Sequence, residues 1–357
     1  MGTAVKLGMQ LSYAGGFTEA AAEAVELEKV GLDILWVPEA YSFDAVSQLG
    51  YLAAVTERVQ LGSAILPLYS RTPALLAMTA AGLDFVSAGR FVLGLGASGP
   101  QVIEGFHGVP YDRPVARTRE VVDICRRVWR REVLTNEGIY SLPLPAGQGT
   151  GLGKALKLIN HPVRAEIPIY LAALGERNVE LAAEVADGWL PTLYLPERAE
   201  RVWGRSLAAG TARRAAGRAP LEVATGGMVG IVDDPAAAKS IVDLARPMVA
   251  LYLGGMGAKG RNFYNDLACR YGFSDEAATV QERYLAGDRD GAAAAVPAAL
   301  VEATNLVGPA GYVRERVAAF AESGVTTLNV IPVGDQAGGR GATVRLVERL
   351  RAIVDDL

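Results

Sequence analysis

The sequence predicts an α/β protein of the (β/α)8 TIM-barrel class, and three observations carry that expectation. Eight short apolar runs are each followed by a longer stretch of helical periodicity. The first four runs begin at Val5, Ile34, Val59 and Arg90, spaced by roughly 30 residues, the length of one βα unit. No linker divides the 357 residues. Open doubly wound sheets usually have fewer strands and split into halves, so a single closed barrel over residues 1–357 is expected.

The elements follow in order. Val5–Leu11 reads as the first strand, and Thr18–Val30 as a helix with Thr18 at its N-cap. Gly31 suits a helix C-cap before the second strand, Ile34–Val37. Helix Ala45–Thr56 leads to the third strand, Val59–Leu66. Pro73, tolerated in a first turn, opens a helix to Val86, and Ser87-Ala88-Gly89 ends it before the fourth strand, Arg90–Leu95. A loop rich in Gly and Pro reaches Pro114, helix Val115–Arg131 follows, and residues 137–164 read as an insertion. Strand Ile167–Leu171, helix Glu176–Val185, a short strand at Trp189–Leu190 and helix Glu197–Ala216 resume the pattern. Strand Glu222–Val232 and helix Pro235–Leu253 come next. Residues 254–307 read as a helical, irregular second insertion before helix Tyr312–Ser323, strand Thr327–Ile331 and helix Thr343–Val354.

Composition narrows the function classes. The net charge of −4 argues against nucleic acid as a principal partner. Arg213, Arg214 and Arg218 read as a solvated helix face rather than a binding patch. Met1–Gln10 lacks a basic segment followed by a long apolar run, so no signal peptide is expected. No run of about 18 apolar residues predicts a membrane span. Cys125 and Cys269 stand outside any C-x-x-C pair, which suits two inert thiols in a reduced, cytoplasmic setting. His107 and His161 lie far apart with no cysteine at ligand spacing, so no metal site is expected; His107 reads as a packing or capping residue.

One motif resembles a dinucleotide fingerprint. Gly94-Leu95-Gly96-Ala97-Ser98-Gly99 matches G-x-G-x-x-G after an apolar strand. That fingerprint also needs a helix opening on the third glycine and an acid at the end of the next strand. Here a loop with Gly105, Gly108 and Pro110 follows, and Glu120 falls inside a helix. The segment reads instead as a turn that lets backbone approach a bound ring or phosphate. Ser98 is not in a nucleophile elbow.

Barrel active sites sit at the C-terminal ends of the strands, and three segments there carry chemistry. Glu39, after Trp36-Val37-Pro38, is either a carboxylate at the mouth or a surface and capping acid. Gly62–Pro67 and Tyr69–Pro73 hold small residues that let backbone bulge toward a flat ligand, or form an ordinary turn and helix start. Leu171–Asn178 ends a strand and opens a helix, whose free N–H groups suit an anion, with Arg177 able to add a charge-assisted bond to phosphate.

Three stretches in this order resemble the luciferase-like family of barrel oxidoreductases, most closely its deazaflavin branch, which uses coenzyme F420. They are Val59–Pro73 (VQLGSAILPLYSRTP), Leu83–Gly96 (LDFVSAGRFVLGLG) and Gly308–Val325 (GPAGYVRERVAAFAESGV). The likeness runs over most of the chain and weakens across the two insertions. It implies a non-prolyl cis peptide at Ala64–Ile65 propping the centre of the deazaflavin ring. It also implies cofactor contacts at Ala97 and Ser98, and a phosphate-binding turn at Ala173, Leu174, Gly175 and Glu176, with Arg177 beside it. The family's acid–histidine pair after the second strand reads Glu39-Ala40 here, and the catalytic glutamate of related dehydrogenases after the fourth strand is absent. Glu39 would then be both a cofactor contact and the catalytic candidate. Tyr13, Tyr41, Tyr69 and Tyr194 lie near strand ends and are expected to shape an apolar substrate pocket or to replace the missing acid and base.

The resemblance implies hydride transfer between F420 and an organic substrate. Three alternatives stay open: an FMN-dependent monooxygenase of the same family, a non-catalytic flavin-binding barrel, and a lyase or isomerase barrel. Family members commonly dimerise through the helices flanking the second and third strands, and the alanine-rich Ala74–Ala81 helix here suits a homodimer.

Overall fold

Strands buried on both faces are what a closed parallel barrel requires, and the strand sequences meet that need. Ile34–Val37 and Phe91–Gly96 are buried at every position. The computed structural model describes residues 5–12, 16–333 and 341–357. Its strands are β1 (Lys6–Gln10), β2 (Ile34–Val37), β3 (Gln60–Ser63), β4 (Leu66–Pro67), β5 (Phe91–Gly96), β6 (Ile169–Leu171), β7 (Gly188–Trp189), β8 (Glu222–Ile231), β9 (Leu306–Gly308) and β10 (Thr327–Pro332). They pair in parallel in the order β1-β2-β3-β5-β6-β7-β8, and β10 closes the ring by pairing with both β8 and β1. The expected eight-stranded barrel is the one found.

The barrel interior is organised around Trp36. Its indole Nε1 donates to Asn329 Oδ1 at 2.8 Å, joining β2 to β10, and its ring lies 5.5 Å from that of Tyr170. Glycines on both neighbouring strands make room for it. A Cβ at Gly62 would lie 2.3 Å from the Trp36 ring, and one at Gly8 would lie 3.0 Å from Nε1. Ile34, Val92 and Ala224 complete this inner cluster. Leu35, Leu61, Leu93 and Leu171, pointing the other way, belong to the larger core shared with the helices.

The stretch expected to mark the family explains itself at the N-terminal face. Arg90 donates to the carbonyls of Ala53, Thr56, Val59 and Ser87, and to Thr56 Oγ1, so one guanidinium ties helix Ala45–Val55 to the start of β3. Asp84, fully buried, pairs with Arg164, which also donates to the carbonyl of Phe91. Glu28 accepts the backbone N–H groups of Glu57, Arg58 and Val59. Burial pushes the Glu28 carboxyl up, but those three N–H donors outweigh it and hold the group below the ordinary glutamate range.

A carboxyl so depressed stabilises the fold above the unfolded-state value, about 4.3, and that contribution is lost as pH falls through the folded-state value. Glu28→Gln is therefore expected to cost about 1.5–3 kcal/mol at neutral pH, the range for bonds to a charged group. The difference from wild type should narrow in acid, as read from denaturant melts at several pH values.

Several local expectations are corrected. Thr18 does not cap its helix, which spans Phe17–Lys29 with Gly16 at the N-cap. The third strand is interrupted at Ala64-Ile65 and continues as β4. The helix expected over Pro235–Leu253 breaks into Pro235–Asp243 and Arg246–Ala250. Pro247 has no N–H for the Asp243 carbonyl, and its ring would clash there. The insertion over 254–307 holds four helices and also ends in β9, a strand pairing with the outer end of β8. Three residues are too few to show a period.

Candidate functional site

The site is built on a bulge at the end of the third barrel strand. Gly62 pairs with Val92, and Leu66 pairs with Leu95. Four steps on one strand thus oppose three on the other (66−62 against 95−92), one extra residue, which is a β-bulge. Ser63 bridges the gap with its side chain, donating to Gly94 O at 2.8 Å and accepting from Gly94 N at 2.9 Å. The Ala64–Ile65 peptide within the bulge is cis, as the resemblance implied. Ala64 packs on the Trp36 cluster. Ile65 lies over Gly96, where an added Cβ would come within 2.9 Å of its Cγ1.

Glu39 follows β2 and is mostly buried. Its Oε1 accepts from Arg71 Nη1 at 2.5 Å, and its Oε2 accepts from Arg71 Nη2 and Ala45 N, both at 2.9 Å. The side chains of Arg71 and Glu39 are 15% and 8% exposed, so this is a bidentate, largely buried pair. Of the two readings of Glu39, the capping bond is present, and both oxygens are engaged. Arg71 stands in the quoted stretch Val59–Pro73, yet nothing in its spacing announced this partner 32 residues away.

After β5, Ser98 takes a left-handed φ of 58° and Gly99 starts the short helix Pro100–Ile103. Ala97 packs against Leu68, Tyr69 and Ile103. Tyr111 donates to Ser98 O at 3.3 Å, so the turn is held from the loop beyond it. After β6, helix Glu176–Val185 opens at Gly175 with no side chain capping it. Trp189 holds the carbonyl of Ala173 at 2.9 Å. Trp203 and Arg270 hold that of Leu174 at 3.2 and 2.9 Å. Glu176 and Arg177 are exposed. The bulge, the Ser98 turn and this uncapped helix start lie on adjacent strands, β3/β4, β5 and β6, at one end of the barrel. A flat ring with an anionic tail fits that series.

The tyrosines divide. Tyr41 is 69% exposed, with its ring 6.2 Å from that of Phe106, so the loops after β2 and β5 meet at the rim. Tyr69 is buried, stacks on Tyr111 at 5.1 Å and donates to Asp112 O at 2.6 Å. Burial raises its hydroxyl far above the usual value, so it remains a donor. Tyr194 is 2% exposed and sits among Trp189, Trp203 and Phe320, donating to Ser323 O. It is a core residue rather than a wall of an open pocket. Tyr13 lies outside the described residues.

Among the described residues no group of three or more His, Cys, Asp or Glu side chains could hold a metal ion. No helix among them is long and apolar enough to cross a membrane. Cys125 is buried, with its thiol pushed up to about 12 by that burial.

The family model for luciferase-like monooxygenases matches residues 3–327. A Mycobacterium tuberculosis protein whose name places it among coenzyme F420-dependent oxidoreductases is 43% identical over 339 residues, covering 92% of this chain and 96% of that protein. A 5,10-methylenetetrahydromethanopterin reductase of Archaeoglobus fulgidus is 27% identical over 84% of this chain and 85% of its own. The solved structure of the F420-dependent tetrahydromethanopterin reductase of Methanopyrus kandleri shares the fold, with a TM-score of 0.77 at 22% identity over 97% of each chain.

Proposed function

This chain belongs to the luciferase-like monooxygenase family, and on that premise we propose that it is an oxidoreductase moving hydride between coenzyme F420 and an organic substrate. The observation that carries the reading is the one-residue bulge at Ala64-Ile65, packed over Gly96 and followed by an uncapped helix start at Gly175. The 43% identity to a relative named for F420 favours this cofactor over FMN. When bound, a deazaflavin supplies a carbon in place of flavin N5 and so carries two electrons as hydride.

In this reading Ala64 and Ile65 support the ring, and Ala97 and Ser98 line its edge. Ala173, Leu174, Gly175, Glu176 and Arg177 receive the phosphate. Tyr41 belongs to the substrate side. Glu39 holds Arg71 and the N-terminus of helix Ala45–Val55, fixing the loop after β2 against the loop after the bulge. Anaerobic titration with each cofactor tests the proposal. Saturable F420 binding is expected; tight FMN binding, with oxygen consumed once air is admitted to the reduced complex, would overturn it in favour of a monooxygenase.

We also propose a cytoplasmic homodimer that takes a small molecule and uses neither nucleic acid nor membrane. The two thiols are free. Helix Pro73–Val86 is apolar on both faces: Ala77, Ala80 and Ala81 face the barrel, so the alanine-rich face is not the free one. Leu75, Met78, Phe85 and Val86 face outward, with Met78 54% and Phe85 68% exposed. Phe85→Asp is expected to raise the dimer dissociation constant at least about 30-fold, as for loss of a ~2 kcal/mol interface hot spot. Light scattering at graded concentration reads the change, and an unchanged monomer fraction would count against this face.

A further inference from the structure

Residues in register on neighbouring parallel strands point to the same side of the sheet, and so do residues two apart on one strand. Gly8 faces the barrel interior, because a Cβ there would meet Asn329 Oδ1, Ile34 Cγ2 and Trp36 Nε1. Gln10, two residues on, therefore faces inward too, in register with Trp36, which pairs in turn with Gly62. Ile331 lies two residues beyond Asn329, whose Oδ1 holds Trp36, so it also faces inward. Deeper inward side chains, Ile34, Trp36, Val92 and Ala224, are buried. Gln10 and Ile331 are exposed instead, Ile331 by 44%. The adjacent strands β1 and β10 thus border the open mouth of the barrel.

Ala64 stands two residues beyond Gly62 on the same face, and it packs with Leu190 on the inner cluster, both half-buried. Two residues are about 7 Å along a strand, so Gln10 starts one level below the bulge. Its carboxamide has no hydrogen-bond partner among the described residues. Asn329, the other inward amide on these strands, is held by Trp36. The flanking strand ends bring no free charge among the described residues. Glu39, after β2, has both oxygens engaged by Arg71 and Ala45, and β10 runs out through Ile331, Pro332 and Val333. A charged ligand would need a counter-charge here, because burying an unpaired charge costs far more than burying a hydrogen-bonded neutral group. A neutral carbonyl oxygen needs only a donor, and a primary amide carries two N–H groups.

We propose that Gln10 binds the substrate, its Nε2 donating to the carbonyl oxygen of an uncharged, apolar ketone or aldehyde that rests against Ile331 and Leu190. This names the substrate class of the site described above and rests on the oxidoreductase reading. Cyclohexanone and cyclohexanecarboxylate, rings of like size with a neutral and a charged oxygen, serve as probes. Saturation-transfer NMR reads their binding to the full chain with and without F420, and a fluorescence titration reads F420 by itself. The expected result is saturable binding of the ketone, tighter than that of the carboxylate. Gln10→Leu should raise the ketone dissociation constant at least about fivefold, the order of one lost neutral hydrogen bond. Gln10→Glu, which keeps the size and loses both N–H donors, should do the same. F420 affinity should be unchanged in Gln10→Leu. Absence of saturable ketone binding, a preference for the carboxylate, or equal ketone affinity in wild type and Gln10→Leu would each overturn the proposal. A loss of F420 affinity in Gln10→Leu would place the amide on the cofactor and overturn it too. Should Gln10→Leu not fold, Gln10→Glu decides. If F420 fails to bind wild type while the ketone response still depends on Gln10, the cofactor reading alone falls.

Discussion

Arg71→Met is expected to cost about 3–5 kcal/mol, the range for removing one partner of a buried ion pair. The cost comes from what is left behind. Glu39 keeps one N–H, from Ala45, and loses two charge-assisted bonds, while its side chain stays 8% exposed. The double variant Glu39→Gln/Arg71→Met is expected to recover a large part of the loss, because a neutral amide no longer carries an uncompensated charge. Denaturant melts of the two single variants and the double complete the cycle. Purely additive losses would show that the pair is not coupled. Cofactor affinity should fall with Arg71→Met as well, since the pair splices the loops after β2 and β4 on either side of the bulge.

Gly94→Ala is expected to cost more than about 4 kcal/mol, a loss that few single changes reach. A Cβ there would stand 1.7 Å from the carbonyl oxygen of Ser63 and 2.9 Å from its carbon. Both obstacles are backbone, so no rotamer change relieves them, and the Ser63 bridge to Gly94 that bypasses the bulge would be forced apart. Gly175→Ala is the contrasting case. Nothing lies within 4 Å of its added Cβ and its φ is −72°, open to any residue. Its stability effect should remain within about 0.5 kcal/mol. Thermal melts of both variants compare them, and equal losses would show that close approach at Gly94 is not what limits it.

Elements bracketed by strong local signals were legible at the residue level. Strand Ile34–Val37 and helices Pro73–Val86 and Glu176–Val185 occur with the expected bounds, each an apolar pattern closed by Pro, Gly or a cap. The Pro247 break also had a local cause that a continuous helical pattern concealed. Within the site, the bulge, the Ser98 turn and the Gly175 helix start follow from small residues at strand ends. Arg71, Tyr111, Trp203 and Arg270, which hold those segments in place, carried no such signal.

The sequence by itself determined the number of βα units and the glycines that admit close packing, because periodicity and backbone freedom act over a few residues. Only the tertiary structure decided that Glu39 meets Arg71, that Tyr194 turns into the core, and that Arg214 bonds the carbonyls of Ala183 and Ala186 while Arg213 pairs with Glu180 and Glu184. Barrel closure sets those partners. Side chains tens of residues apart reach hydrogen-bond distance only after the strands bearing them stand side by side, and no local pattern records which will meet.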